Sequence, residues 1–316
     1  MTEFQELAQL LFGNITKTPQ DMEELYPPRQ LKEGARVTRF APSPTGFLHF
    51  GNLFTCMVSY KTAKATDGVF YVRVEDTDQK RKVDGAIDVM LKGLSVYGIN
   101  ADEGVVGDGK EIGDYGPYYQ STRVDIYQAY AKSLVEQGLA YPCFCSAEEL
   151  DSIRAEQEND SIKGYWGRYA KCRDLTLDQI KANIDAGMSW TLRLKSPGEL
   201  DKKCYFDDMI KGKIEMPENV QDIVLLKSDG IPTYHFAHAV DDHLMRTTHV
   251  VRGDEWISSV PIHLQLFKVL GFKPPKYAHV SPIMKEENGG KRKLSKRKDP
   301  EAAVTYYAEE GYPQQS

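Results

Sequence analysis

The chain has 316 residues, a net charge of −6, 41% apolar and 27% charged residues, the balance of an ordinary globular protein of about two domains. No apolar run approaches the roughly 18 residues that span a bilayer, five cysteines are too few for a disulfide scaffold, and the N-terminal MTEFQELAQLLFGN carries acid where a signal peptide carries base. A membrane protein, a fibrous repeat and a disordered tail are excluded, a reducing cytoplasm is the expected compartment, and the acidic balance weighs against a bulk nucleic-acid coat while allowing a local basic face.

Residues 1–35 read as a short amphipathic helix carrying Leu7, Leu10 and Leu11, then a connector through Pro27 and Pro28. From Arg36 the pattern turns α/β. The run 36–41, RVTRFA, has the chemistry of a buried strand, and PSPTG at 42–46 is a rigid loop. Apolar residues at helical spacing (Leu53, Phe54, Met57, Val58) predict a helix over 49–67 that stops at Gly68. VFYVRVE at 69–75 returns to strand chemistry. Strand, loop, helix and strand in about 40 residues make a βαβ unit and imply a parallel sheet. Helical patterns follow at 82–97 and 122–137, each closed by a glycine. The stretch 141–220 breaks the alternation, holds a β-like run at 190–195, and reads as an insertion between two halves of one sheet. The second half is expected to start with a strand at 222–227. A helix near 232–244, a strand at 248–252 and a helix at 257–270 follow. The tail 281–316 carries a Gly-Gly pair and the basic cluster KRKLSKRK at 291–298.

Two segments carry the strongest chemistry. In RFAPSPTGFLHFGN at 39–52, a proline-braced turn leaves a strand and feeds a helix start near His49. The unpaired N–H groups and positive dipole end of such a helix suit an anion. His49 adds a donor, and Gly51 lets a flat ligand approach the backbone. A lone His-x-Gly would be an ordinary loop with a surface histidine; the fourteen residues together are far more specific. In the second segment, Lys293 and Lys296 bracket Leu294 and Ser295 behind Asn288, Gly289 and Gly290. A charge run is usually a solvated face, but lysines on a mobile loop can also close over a polyphosphate.

Together these segments resemble the catalytic part of bacterial glutamyl-tRNA synthetases, which are class I aminoacyl-tRNA synthetases. RFAPSPTG at 39–46 matches the family's opening signature. His49-Phe50-Gly51-Asn52 stands where the family has HIGH, with Asn52 replacing the second histidine, and Lys293-Leu294-Ser295-Lys296-Arg297 stands where it has KMSKS. RVEDTD at 73–78, SDGIPTYHFAHAVDD at 228–242 and HVVRGDE at 249–255 match in order between them, so the resemblance runs from about Arg36 to the C-terminus.

The resemblance implies an α/β fold: a class I synthetase Rossmann-like parallel sheet split by an α+β acceptor-binding insertion. Its parts would be an N-terminal helical extension (1–35), a first catalytic half (36–140), the acceptor-stem-binding insertion (141–220), a second half (221–280) and the KLSKR loop with the start of a stem-contact region (281–316). The implied reaction is ATP-dependent ligation of L-glutamate to the 3′ end of tRNA(Glu) through a glutamyl-adenylate, with ATP arriving as its Mg²⁺ complex. Arg39 and Ser43 would hold the amino acid, Glu75 its ammonium, and Tyr234 and His238 would contact it; His238 stands where the family often has Asn. Arg252 would grip a carboxylate with its two-pronged fork. Thr45, Gly46, His49, Gly51, Asn52, Glu255, Lys293 and Lys296 would bind ATP, with His49, Lys293 and Lys296 stabilising phosphate charge.

Cys143-Phe144-Cys145 with Cys172 resembles the zinc site of some family members. A structural site wants four ligands; Tyr169 is the expected fourth, with Asp174 behind it, and three unpaired cytosolic cysteines are the competing reading. Cys56 reads as core, and Cys204 has no apparent partner. The expected partners are the tRNA acceptor stem, glutamate and ATP, with no membrane, and the chain is expected to be a monomer. Two alternatives stay open: a glutamyl-queuosine tRNA(Asp) synthetase, disfavoured by the intact KLSKR and the 35-residue lead, and an inactive RNA-binding relative, disfavoured by Arg39, His49, Lys293 and Lys296. The tail EAAVTYYAEEGYPQQS starts a helical pattern, so the chain is expected to be the catalytic portion of a longer synthetase.

Overall fold

A computed structural model describes residues 1–44, 48, 50–78, 83–287, 289–294 and 299. Strand β1 (Val37–Phe40) pairs in parallel with β2 (Val69–Val72), in the register Val37 to Val69. The expected βαβ unit is completed by α3 (Phe50–Lys64), which buries Leu53, Cys56, Ser59 and Ala63. β2 pairs in parallel with β3 (Glu103–Gly107), and β4 (Lys110–Ile112) closes that edge antiparallel. All four residues of β1 are buried, as a strand covered on both faces requires.

The second parallel pair is β10 (His249–Gly253) with β11 (Lys276–Val280). It lies along the free edge of β1. There the N–H of Thr248 donates to the Val37 carbonyl (2.9 Å), and the Thr248 hydroxyl accepts from the Val37 N–H (2.8 Å). The carboxyl ends of β1, β2 and β10 therefore open on one side of the molecule, where α/β sheets bind ligands. Helices α4 (Ala86–Val96), α5 (Val124–Glu136), α8 (Tyr234–Leu244) and α9 (Val260–Val269) pack around this core.

The strand expected at 222–227 forms as β9 (Val224–Leu226), but not in the parallel sheet. It pairs antiparallel with β6 (Thr191–Leu194), which pairs antiparallel with β5 (Ala140–Cys143). The insertion is thus framed by its own three-stranded sheet. It carries α6 (Ala147–Glu156), α7 (Leu177–Asp185) and a hairpin, β7 (Lys203–Asp208) with β8 (Gly212–Pro217). A second hairpin, β12 (Met284–Glu287) with β13 (Gly290–Lys293), follows β11.

The N-terminal extension holds two helices where one was expected. Helix α1 (Glu3–Phe12) buries Leu7, Ala8 and Phe12, whereas Leu10 is exposed, so the apolar face is rotated from the one predicted. Helix α2 (Pro19–Leu25) sits inside the expected connector. Thr18 caps it, accepting from Asp21 N–H while Asp21 accepts from Thr18 N–H, and Pro19 occupies its first turn.

Candidate active site

The sheet sets three arginines at its carboxyl edge: Arg39 near the end of β1, Arg73 just beyond β2, and Arg252 in β10. All three are buried. A buried guanidinium needs a countercharge, and α8 supplies most of it. Tyr234, His238 and Asp242 recur at every fourth position of α8 and so form one stripe, with Asp241 beside it.

Asp242 is the hub. Its Oδ1 lies 2.6 Å from Arg73 Nη1, and its Oδ2 lies 3.3 Å from Arg39 Nε and 3.0 Å from His238 Nδ1. Burial alone would push its carboxyl up, but Arg39, Arg73 and His238 hold it well below the usual carboxylate range. Asp241 accepts from Arg123 Nε (2.7 Å), Gln120 Nε2 (2.8 Å) and the Tyr127 hydroxyl (2.7 Å). Glu75 takes a bond from Arg73 Nη2 (3.1 Å); burial raises its carboxyl despite Arg73 and Arg39.

Arg252 differs. Its Nε donates to His279 Nε2 (3.0 Å), its Nη1 to His263 Nδ1 (3.2 Å), and its Nη2 reaches the Trp256 carbonyl (3.4 Å). Its guanidinium also stacks 4.7 Å from the centre of the Tyr277 ring. Among the described residues no carboxylate pairs with it, so a buried cation faces the site with neutral partners. Above it the Tyr234 ring lies between His238 (centroids 5.9 Å) and Trp256 (4.5 Å), and its hydroxyl carries no hydrogen bond among the described residues. His238 Nε2 meets the Tyr277 hydroxyl at 3.1 Å. Burial lowers His238 to about 4, so it is neutral.

The residues expected to hold glutamate are therefore partly gathered. Arg39, Glu75, Tyr234, His238 and Arg252 converge on Asp242 and the carboxyl edge of the sheet, and Ser43 lies exposed on the loop leaving β1. The Pro42 carbonyl accepts from Glu75 N–H (2.9 Å), tying that loop to RVEDTD. Of the expected ATP residues, Gly51 and Asn52 form the first turn of α3, and Glu255 is exposed beyond β10. Lys293 has its backbone in β13, paired with Met284. Thr45, Gly46, His49 and Lys296 lie outside the described residues. Within the basic cluster, Arg292 is committed to the buried Asp299 (2.6 and 2.7 Å).

Residue reading alone passed over Arg73, Arg123, Asp241, Asp242, His263 and His279. The signal for two of them was present: adjacent aspartates in a helix whose other residues are aromatic, apolar or histidine are costly unless they meet buried cations.

The cysteine set closes in the insertion. Sγ atoms of Cys143, Cys145 and Cys172 lie within 4.8 Å of one another, and those of Cys145 and Cys172 are 3.7 Å apart. The oxygen beside them belongs to Tyr165, not Tyr169. Tyr165 Oη is 3.3 Å from Cys145 Sγ and accepts from Cys172 N–H (3.0 Å). Tyr169 instead gives its hydroxyl to Asp160 (2.9 Å), where Arg168 also bonds it, and Asp174 pairs with Lys195 (3.1 Å) on the surface. A hydrogen bond from Cys172 lowers the Cys143 thiol against the opposing effect of burial. Three converging sulfurs suit a soft tetrahedral cation such as zinc. Cys56 is buried in α3 as expected.

The family described as "tRNA synthetases class I (E and Q), catalytic domain" matches residues 36–316. The glutamate–tRNA ligase of Clostridium perfringens (strain 13 / Type A) is 54% identical over 314 residues, 99% of this chain and 58% of that protein. That of Clostridium beijerinckii is 54% identical over 311 residues, 98% of this chain and 56% of that protein. A crystal structure of a glutamate tRNA ligase from Elizabethkingia meningosepticum in complex with its amino acid superposes with a TM-score of 0.76 at 38% identity, covering 88% of this chain and 54% of the other. The chain thus spans little more than half the length of the curated relatives it matches.

Proposed function

The chain belongs to the class I tRNA synthetase family for E and Q, and from that membership we propose that it forms the catalytic part of a glutamate–tRNA ligase, joining L-glutamate to the 3′ end of tRNA(Glu) through a glutamyl-adenylate. The observation that carries the choice of substrate is Arg252, a buried guanidinium whose partners among the described residues are all neutral. A substrate side-chain carboxylate is the missing countercharge. Glutamine would leave the arginine unpaired, a penalty of several kcal/mol, on the order of a thousandfold in rate.

In this reading Arg39 and Ser43 hold the amino acid, Glu75 meets its ammonium, and Tyr234 and His238 form its wall. Gly51, Asn52 and Glu255 belong to the ATP site with Thr45, Gly46, His49, Lys293 and Lys296. ATP comes as its Mg²⁺ complex. The glutamate α-carboxylate attacks the α-phosphate and pyrophosphate leaves; the acyl group then passes to the terminal ribose of tRNA. No covalent enzyme intermediate is needed, so the protein's work is alignment and charge stabilisation, with His49 and Lys296 assigned the phosphate charge. The insertion receives the acceptor stem. Cys143, Cys145 and Cys172 would hold a structural zinc, which would cross-link the start of the insertion to its middle. Compartment and subunit number stay as expected from the sequence, cytoplasmic and monomeric; among the described residues no helix is long and apolar enough to cross a membrane.

The 54% identity with glutamate–tRNA ligases over 99% of the chain supports this reading over a queuosine-modifying paralogue or an inactive relative. The test is transfer of labelled glutamate to tRNA, with intact tRNA and with tRNA lacking its 3′-terminal adenosine. Label on intact tRNA alone supports the proposal. Label that survives removal of that adenosine would place the acceptor on a base and overturn it.

A further inference from the structure

A chain of hydrogen bonds runs from the insertion to Arg252. Asp208, the last residue of β7, is buried and uses one carboxylate oxygen, Oδ1, to accept from Ile210 N–H (3.0 Å) and Lys211 N–H (2.9 Å), capping the hairpin turn. Its Oδ2 faces β11, accepting from His279 N–H (3.1 Å) and meeting His279 Nδ1 at 2.6 Å. The other ring nitrogen of His279, Nε2, meets Arg252 Nε at 3.0 Å. Met209 N–H donates to the Tyr277 carbonyl (2.9 Å) and Lys211 Nζ to the Ser281 hydroxyl (2.7 Å), which fixes the hairpin against β11.

The proton inventory permits one arrangement. Arginine has five donors and no acceptor, so His279 Nε2 must carry the lone pair. The His279 proton then sits on Nδ1 and is donated to Asp208. With Nε taken by His279, one Nη1 proton by His263 and one Nη2 proton directed at the Trp256 carbonyl, one proton on each terminal nitrogen remains for a two-pronged grip on a carboxylate.

We propose that Asp208 and His279 are positioning residues for Arg252: the hairpin carboxylate fixes the histidine tautomer, and that tautomer aims the guanidinium at the substrate side-chain carboxylate. This rests on the assignment of Arg252 to glutamate. It also makes the insertion part of the amino-acid site.

The experiment measures glutamate and ATP affinity by titration calorimetry on the full chain bearing H279L, H279Q, D208N, the double variant D208N/H279Q, or R252A. Leucine removes the acceptor, whereas glutamine restores a carbonyl that can accept from Arg252. We expect H279L to weaken glutamate binding at least about 20-fold with ATP binding unchanged, and H279Q to recover to within about 5-fold of wild type. In D208N the side-chain amide donates to His279 Nδ1, so the ring proton moves to Nε2 and opposes Arg252; glutamate should weaken about 10-fold. Glutamine has no tautomer to invert, so D208N should add less than about 2-fold in the H279Q background. Loss of the His279 N–H contact is common to both backgrounds and cancels. The cycle stands even if H279L does not fold. Equal losses from D208N in the two backgrounds would overturn the inference, as would an equal fall in ATP affinity. If R252A weakens glutamate but D208N does not, the positioning role alone falls. If R252A leaves glutamate affinity unchanged, the assignment of Arg252 falls and takes the inference with it.

Discussion

Six histidines gathered around α8, β10, α9 and β11 are held neutral, each for the same reason. Burial lowers His235, His238 and His249 to about 4, and it also lowers His243, His263 and His279. For His235 and His263 the nearby Arg252 adds to the effect. The sign follows directly. Below the unfolded value of about 6.5, the unfolded chain takes up protons that the folded chain refuses, so each such group removes stability as pH falls, by up to about 1.4 kcal/mol per pH unit. Asp242 has the same sign in a lower window: its depressed value gives stability that is present above about pH 4 and is lost as pH falls below it. Urea midpoints should therefore fall steadily from pH 6.5 to about 4, and His238→Asn should flatten part of that slope. A midpoint that is constant across this window would show that the ring cluster is not held neutral.

At the scale of elements, the N-terminal extension is fastened to the catalytic core by Arg29. Its guanidinium makes a two-pronged bond to Glu103 of β3 (2.7 and 2.9 Å), donates to the Met245 carbonyl at the end of α8 (3.1 Å) and stacks 3.8 Å from the Tyr115 ring centre. Removing one partner of such a buried set leaves Glu103 uncompensated. Arg29→Ala should lower unfolding stability by about 3 kcal/mol, whereas Lys32→Ala, which breaks only the exposed pair with Asp67, should leave it nearly unchanged. Chemical denaturation of the two variants decides; equal effects would mean that the extension is not anchored through Arg29. In the insertion, the three thiols predict up to one zinc per chain, lost in Cys143→Ser. Metal-free protein prepared without chelators that unfolds at the wild-type temperature would refute a structural metal there.

These elements were legible in the sequence to unequal degrees. The βαβ unit, α8, β10 and α9 announce themselves because periodicity and flanking glycines agree. Helix α2 was hidden by its prolines, since Pro19 at a helix start looks like a connector until Thr18 and Asp21 are read as a capping pair. The partner of β9 was hidden because a short apolar run states that a strand is buried, not which sheet buries it. The motif residues Arg39, Glu75, Tyr234 and Arg252 could be named from local sequence. Asp208 and His279 could not: they lie 71 positions apart, and only the fold of the hairpin onto β11 joins them. Tyr165 and Tyr169 both stand near the third thiol in the sequence, and only the fold puts Tyr165 in the place expected of Tyr169.

For the whole molecule, one charge is decisive. A parallel sheet brings Arg39, Arg73 and Arg252 to its carboxyl edge; Asp242 of α8 and Glu75 meet the first two, and among the described residues the third has neutral partners. Similarity extends along nearly the whole chain to glutamate–tRNA ligases, of which it spans less than two thirds. The most direct test is ATP–pyrophosphate exchange in the presence of tRNA, comparing wild type with Arg252→Ala at graded concentrations of glutamate, glutamine and aspartate. The account predicts that glutamate alone supports exchange, and that Arg252→Ala raises the glutamate KM by about 100-fold or more while the ATP KM stays within about twofold. Exchange supported equally by glutamine, or a wild-type glutamate KM in Arg252→Ala, would contradict it.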